Sequence, residues 1–157
     1  MATLTATRAA AGFPVAGHGF GGALKVAYGS YTLAANPTAA DIIQFCRVPK
    51  GATVVGGWLM GADIDTGTET FDLDIGWQAN GDEVADPDGF GNFGVLSGDV
   101  ITELKPVAGI YNPLQGVLLT AGPKTFNAET VISGTVIAAA NAGGTGVLTV
   151  VVLYVLA

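Results

Sequence analysis

Apolar and polar residues alternate with a period of two over much of this chain. The alternation is clearest at the end of DIDTGTETFDLDIGW, where Phe71, Leu73, Ile75 and Trp77 interleave with Asp72, Asp74 and Gly76. Successive side chains of a strand point to opposite faces, so this spacing predicts a strand that buries the first set and turns Asp72 and Asp74 toward solvent. The same reading predicts strands over 24–33, 41–48 and 53–62. In the first, Leu24, Val26 and Tyr28 share one face, and Tyr31 and Leu33 the other. Gly56 and Gly57 inside the third predict a bulge or a close approach of two backbones. Short strands at 107–111 and 116–120 follow, then β-branched runs at 130–139 and 147–156, which NAGGTG would join as a hairpin.

Turn chemistry separates these segments. Asn36-Pro37 and Pro49-Lys50-Gly51 end the first two strands, and Asp65-Thr66-Gly67-Thr68 precedes the fourth. Residues 78–94 hold four glycines, a proline and four carboxylates, the composition of a long loop, and such loops often make contacts. Residues 97–104 read as one or two helical turns with Ser97 or Asp99 as N-cap, and Pro106 stops them. About eight short strands with at most one short helix predict an all-β fold: a single antiparallel β-sandwich, jelly-roll-like, or a barrel.

Residues 1–22 sustain neither a strand nor a helix period and read as an extended N-terminal arm, leaving 23–157 as one β domain. Phe13 and Phe20 give the arm apolar anchors, so it has the makings of a segment that orders on another subunit. The arm lacks the continuous apolar run of a secretory signal, which points to synthesis in the cytoplasm. The apolar run at 147–156 is too short for a spanning helix, which needs roughly 20 residues.

Charge adds direction to this picture. Eleven of the thirteen carboxylates lie between Lys50 and Lys105, a stretch with no Lys or Arg, while the remaining residues set six bases against Asp41 and Glu129. An acidic middle of −11 therefore sits in a remainder of +4, for a net charge of −7. Phosphate binding needs clustered Lys and Arg, so nucleic acid is not an expected partner. With only 12% charged and 50% hydrophobic residues, the chain has more apolar surface than one domain hides, which points to burial against other subunits.

No reaction can be assembled from these residues. His18 is the only histidine, so neither a multi-histidine zinc site nor a His-based triad is available. Gly17-His18-Gly19-Phe20-Gly21-Gly22 follows an irregular arm rather than a strand and lacks the Lys-Ser/Thr ending of a phosphate loop. Cys46 is alone and lies among Ile43, Phe45 and Val48, the setting of a small buried hydrophobe. The segment from Asp63 to Glu69 has the oxygen-rich look of a calcium loop, but its glycine comes one position early and its third acidic ligand is missing. Asp72 and Asp74 could pair as acid and base in sugar hydrolysis, yet Trp77 falls on the opposite face. No catalytic, cofactor or metal residue is assigned.

Several stretches together resemble small virion proteins of tailed bacteriophages, the capsid decoration (cement) and head-fibre-like proteins. They are VPKGATVVGGWL, DIDTGTETFDLDIGW, the run from Glu129 through Val136, and the closing LTVVVLYVLA. The resemblance implies a non-enzymatic β-sandwich or barrel that binds the outside of a capsid, often as a trimer, and clamps neighbouring capsomers. Its partners would be the major capsid protein and further copies of itself, with no membrane and no cofactor. On this reading Arg8, Lys25, Arg47 and Lys50, with Phe13 and Phe20, face the capsid or neighbouring subunits, and the acidic loops point outward. A tail or fibre component, or a free calcium- or carbohydrate-binding β module, is the alternative.

Overall fold

Among the residues described by the computed structural model, 23–96 and 109–156, nine strands and one helical turn form. They are β1 (Lys25–Leu33), β2 (Ile42–Val48), β3 (Ala52–Gly61), β4 (Asp72–Trp77), β5 (Asp86–Gly91), β6 (Ile110–Pro113), α1 (Val117–Thr120), β7 (Lys124–Thr125), β8 (Thr130–Ala138) and β9 (Gly146–Leu156). One sheet runs β1-β9-β3-β6, with β7 also pairing β3; the other runs β2-β8-β4-β5. Every pairing is antiparallel.

The pairings nest. β4 pairs with β5, β3 with β6, β2 with β8 and β1 with β9, as if one long hairpin had been rolled up so that β9 lies beside β3 and β8 beside β4. This is a jelly roll, a sandwich in which most connections pass from one sheet to the other. The alternating pattern explains why two sheets form. Leu59, Leu148, Val150 and Val152 of the first sheet and Leu73, Ile75, Ile132 and Val136 of the second are almost wholly buried, and they fill the space between. At one end Trp77, Phe90 and Phe126 close the core edge to face, with centroids 5.1, 5.3 and 6.1 Å apart.

Glycine sets the spacing of the two sheets along one side. A Cβ at Gly29 would lie 1.8 Å from the carbonyl oxygen of Phe45, which is the extra residue where the register of β2 slips. Only glycine lets β1 and β2 come this close. The register slip expected at Gly56-Gly57 is present as well, between Val54 and Gly56.

Several sequence expectations change. β8 and β9 are not a hairpin: they belong to different sheets, and residues 139–145 arch across the end of the sandwich between them. Residues 78–94 are not all loop, because Asp86–Gly91 is a strand whose glycines let it lie over the aromatic Trp77. The segment 116–120 is a helical turn rather than a strand. Gly116 takes a φ of 53° against the carbonyl oxygen of Gly89, and this bends the chain away from β6. The arm at 1–22 and the helix expected at 97–104 lie outside the described residues.

Candidate assembly surfaces

The register gathers the described basic residues at one end of the sandwich. Lys25 opens β1 opposite Tyr154, and Lys50 sits in the turn just before Ala52, which faces Leu156. Arg47 lies beside that turn, opposite Val131, and Lys124 is opposite Val54. Lys25, Arg47 and Lys50 are exposed. The other end carries Asp41, Asp63, Asp65 and Glu69, with no Lys or Arg among the described residues. Lys25, Arg47 and Lys50 thus lie at one end of the sandwich, whereas Arg8, Phe13 and Phe20 lie outside the described residues.

The basic end is partly neutralised. Lys124 pairs with Glu83 at 2.6 Å and stands 5.1 Å above the Trp77 ring and 5.4 Å from that of Phe126. Arg47 pairs with Glu129 at 2.9 Å, but both side chains are more than 60% exposed, so that pair adds little stability. The loop of Asp82 and Glu83 thus shares the basic end rather than pointing away from it. Lys25 and Lys50 are the bases of this end that form no ion pair with the described residues.

Asp72 and Asp74 lie on the side of β4 away from the core, as their spacing predicts, but they are not a solvated face. Asp74 is only 5% exposed. The next outward position is Gly76, where a Cβ would lie 1.9 Å from the carbonyl oxygen of Asp86, so β5 and its approach fold over this face. Burial, with Asp72 and Asp88 nearby, pushes the Asp74 carboxyl up to about 6. Burial also raises Asp72, and burial and Asp88 raise Asp86 despite the pull of Lys124. Oδ1 of Asp74 and Oδ1 of Asp72 are buried without a hydrogen bond. With Asp74 buried, the two carboxyls do not stand together in an open cleft.

Asp65 carries a different load. It is 2% exposed and takes six hydrogen bonds. Oδ1 accepts from the N–H groups of Gly67 and Ala142; Oδ2 accepts from the N–H groups of Thr70, Phe71 and Asn141 and from the Thr70 hydroxyl. Burial alone would raise this carboxyl, but the donors outweigh it and hold it well below the usual carboxylate range. The residue ties the β3–β4 crossing to the β8–β9 arch. With its lone pairs filled by N–H and O–H, it has none left for a cation. Among the described residues no group of three or more His, Cys, Asp or Glu is placed to hold a metal.

Other candidate chemistry is equally occupied. Ser30 is bonded to Thr149 and Ser133 to Gln78, and burial pushes the Cys46 thiol up to about 11, far from a reactive thiolate. An open cleft of about 390 Å³ lies where β1 meets β2, lined by Tyr31, Pro37 and Ile42 among others. Its one carboxylate, Asp41, accepts from the Thr38 N–H.

The outer side of the first sheet differs from every other surface. Its central row runs Tyr28, Val151, Trp58, Pro113 across β1, β9, β3 and β6, and the next runs Ser30, Thr149, Met60, Tyr111. No outward position of these strands carries a charge. The sequence pattern puts Val26 and Tyr28 of β1 on one face, without marking it as a surface. It misses the rest, because that depends on which strands are neighbours.

Comparison with known proteins follows the same direction. No protein-family model and no curated protein matches the chain. Among solved structures, a chain of the capsid asymmetric unit of cyanophage Pam1 superposes with a TM-score of 0.63 at 26% identity, covering 100% of both chains. This chain is similar to a phage capsid component. A chain from the capsid of Ralstonia phage GP4 matches 85% of it, with 84% of that chain covered, at 18% identity and a TM-score of 0.63. One from the acidic stable capsid of Helicobacter pylori bacteriophage KHP30 matches 83%, with 86% covered, at 18% identity and 0.54. The last two share the fold.

Proposed function

We propose that this chain is a non-enzymatic structural protein of a phage virion that binds the outside of the capsid and stabilises its lattice. The observation that carries the reading is the end-to-end match with a chain of the Pam1 capsid, in which neither chain has a region left over. The geometry agrees with it: the Asp65 carboxylate and the Ser133 hydroxyl are hydrogen-bonded within the fold, Asp74 is buried, and burial keeps the Cys46 thiol from ionising. Area buried over many small contacts, multiplied across a lattice, supplies binding energy without a catalytic group.

On this reading Lys25, Arg47 and Lys50 at the basic end, together with Arg8, Phe13 and Phe20, face the major capsid protein or neighbouring subunits. The end that holds Asp41, Asp63 and Glu69 faces outward, where like charge keeps crowded copies soluble. The chain works as a homo-oligomer and is made in the host cytoplasm before it joins the virion. The test is add-back to capsids that lack the protein. A chain with Lys25→Glu, Arg47→Glu and Lys50→Glu together should remain folded and lose occupancy, most steeply at low salt. Occupancy equal to that of the unmodified chain would refute the assigned orientation.

A further inference from the structure

The outer side of the first sheet is a broad surface that no other described element covers. Tyr28 is 71% exposed, and Trp58, Met60 and Leu153 are partly exposed beside it. Aromatic residues and methionine are the types enriched at the centre of protein interfaces, and Lys and Glu are depleted there. Hydroxyls on this side already satisfy each other. Ser30 Oγ lies 2.7 Å from Thr149 Oγ1 across β1 and β9, and Thr53 Oγ1 lies 2.8 Å from Thr125 Oγ1 across β3 and β7. The face therefore offers water few free polar groups, and little hydration is lost when it is covered.

We infer that the outer face of the sheet β1-β9-β3-β6 is where a second copy of this chain docks, face against face. This rests on reading the chain as an assembly protein, and it names the surface that reading leaves open. Charge selects the occupant. A molecule of net charge −7 repels its own copies wherever carboxylates meet, and this face is the one broad side on which two copies bring no charge together. The opposite sheet presents Asp72, Asp86 and Arg47, and the sandwich ends are charged. A face of one neutral, apolar character is complementary to itself, the condition for a contact between identical surfaces.

Area agrees. Three strands about 4.8 Å apart and roughly 30 Å long, with the short β6 beside them, present about 500 Å² per copy, or about 1,000 Å² for two, the least that a specific interface needs. The same arithmetic leaves the cleft between β1 and β2 far too small to serve.

The experiment is sedimentation velocity on the full chain, free of capsids, over a wide concentration range. The unmodified protein should associate. Tyr28→Glu and Trp58→Glu should each weaken association by about tenfold or more, the effect of placing one charge in a neutral interface core. Val84→Glu, at an 83% exposed site on the other sheet's loops, should leave association unchanged. Tyr28 is exposed enough that its substitution leaves folding intact, which circular dichroism of the same samples checks. An unmodified chain that stays monomeric at high concentration overturns the inference, as does a Tyr28→Glu chain that associates as well as the parent. Tyr28→Glu losing capsid occupancy while the free parent is monomeric would assign the face to a different protein. Because no capsid is present in the sedimentation arm, its failure leaves the capsid role standing, and loss of the capsid role leaves the dimer contact standing.

Discussion

Two aspartates of this protein show how position along a strand and position in space part company. Asp65 and Asp74 are both buried, yet their carboxyls move in opposite directions because one is filled with donors and the other is crowded by carboxylates. Asp74 has an ordinary value near 3.8 and a folded value of about 6. The folded state therefore binds a proton more tightly than the unfolded chain. Stability gained from that proton is fully present below about pH 4 and is lost as pH rises through 6. An Asp74→Asn chain lacks this loss. It should be more stable than the parent at pH 8, on the order of 1 to 2 kcal/mol, with the difference vanishing at pH 4. Urea unfolding across pH 4 to 8 checks this, and a variant no more stable than the parent at pH 8 would show that Asp74 is not held against its charge.

At the scale of elements, the close contact of β1 and β2 is the most demanding piece of geometry. A methyl group at Gly29 has only the Phe45 backbone to push against, and backbone cannot swing aside as a long side chain can. Gly29→Ala should cost about 1 to 3 kcal/mol, the range for overpacking, and loosen β1 first. Hydrogen exchange of β1 amides, read against those of β4, distinguishes local loosening from global loss.

The strands with β-branched residues and clean alternation, β1 to β4, β8 and β9, were legible in the sequence to within a residue or two. β5 was hidden because Asp-Pro-Asp-Gly-Phe-Gly has the composition of a turn; it pairs only because those small residues can lie flat over Trp77. Partnership was the harder matter. Asn141-Ala142-Gly143-Gly144 satisfies every local requirement of a hairpin, and nothing local distinguishes a hairpin from an arch between sheets. The arch is specified by Asp65, more than seventy positions upstream, whose carboxylate accepts from the N–H groups of Asn141 and Ala142. The basic end was legible as a list of residues, but the sharing of that end by Glu83 was not.

For the whole molecule, the hydrogen bonds that fill the Asp65 carboxylate have a measurable counterpart. The loop that most resembles a calcium site spends the Asp65 carboxylate on holding two crossings together. Thermal unfolding with EDTA and with millimolar calcium should therefore give the same Tm, whereas a resident ion would raise it with concentration by mass action. A lower Tm in EDTA would mean that the ordering of this end depends on metal.

The nested pairing also has a bearing on time. Ser30 meets Thr149 across 119 positions of chain, so β1 waits unpaired until almost all the rest has been made. Such distant partners close slowly, on the order of milliseconds to seconds in all-β domains. Because β9 lies between β1 and β3, the neutral face exists only once that last strand is seated. On the face-to-face contact inferred above, an incomplete or misfolded chain has no surface on which to meet its copies, and entry into the assembly is granted by the final step of folding itself.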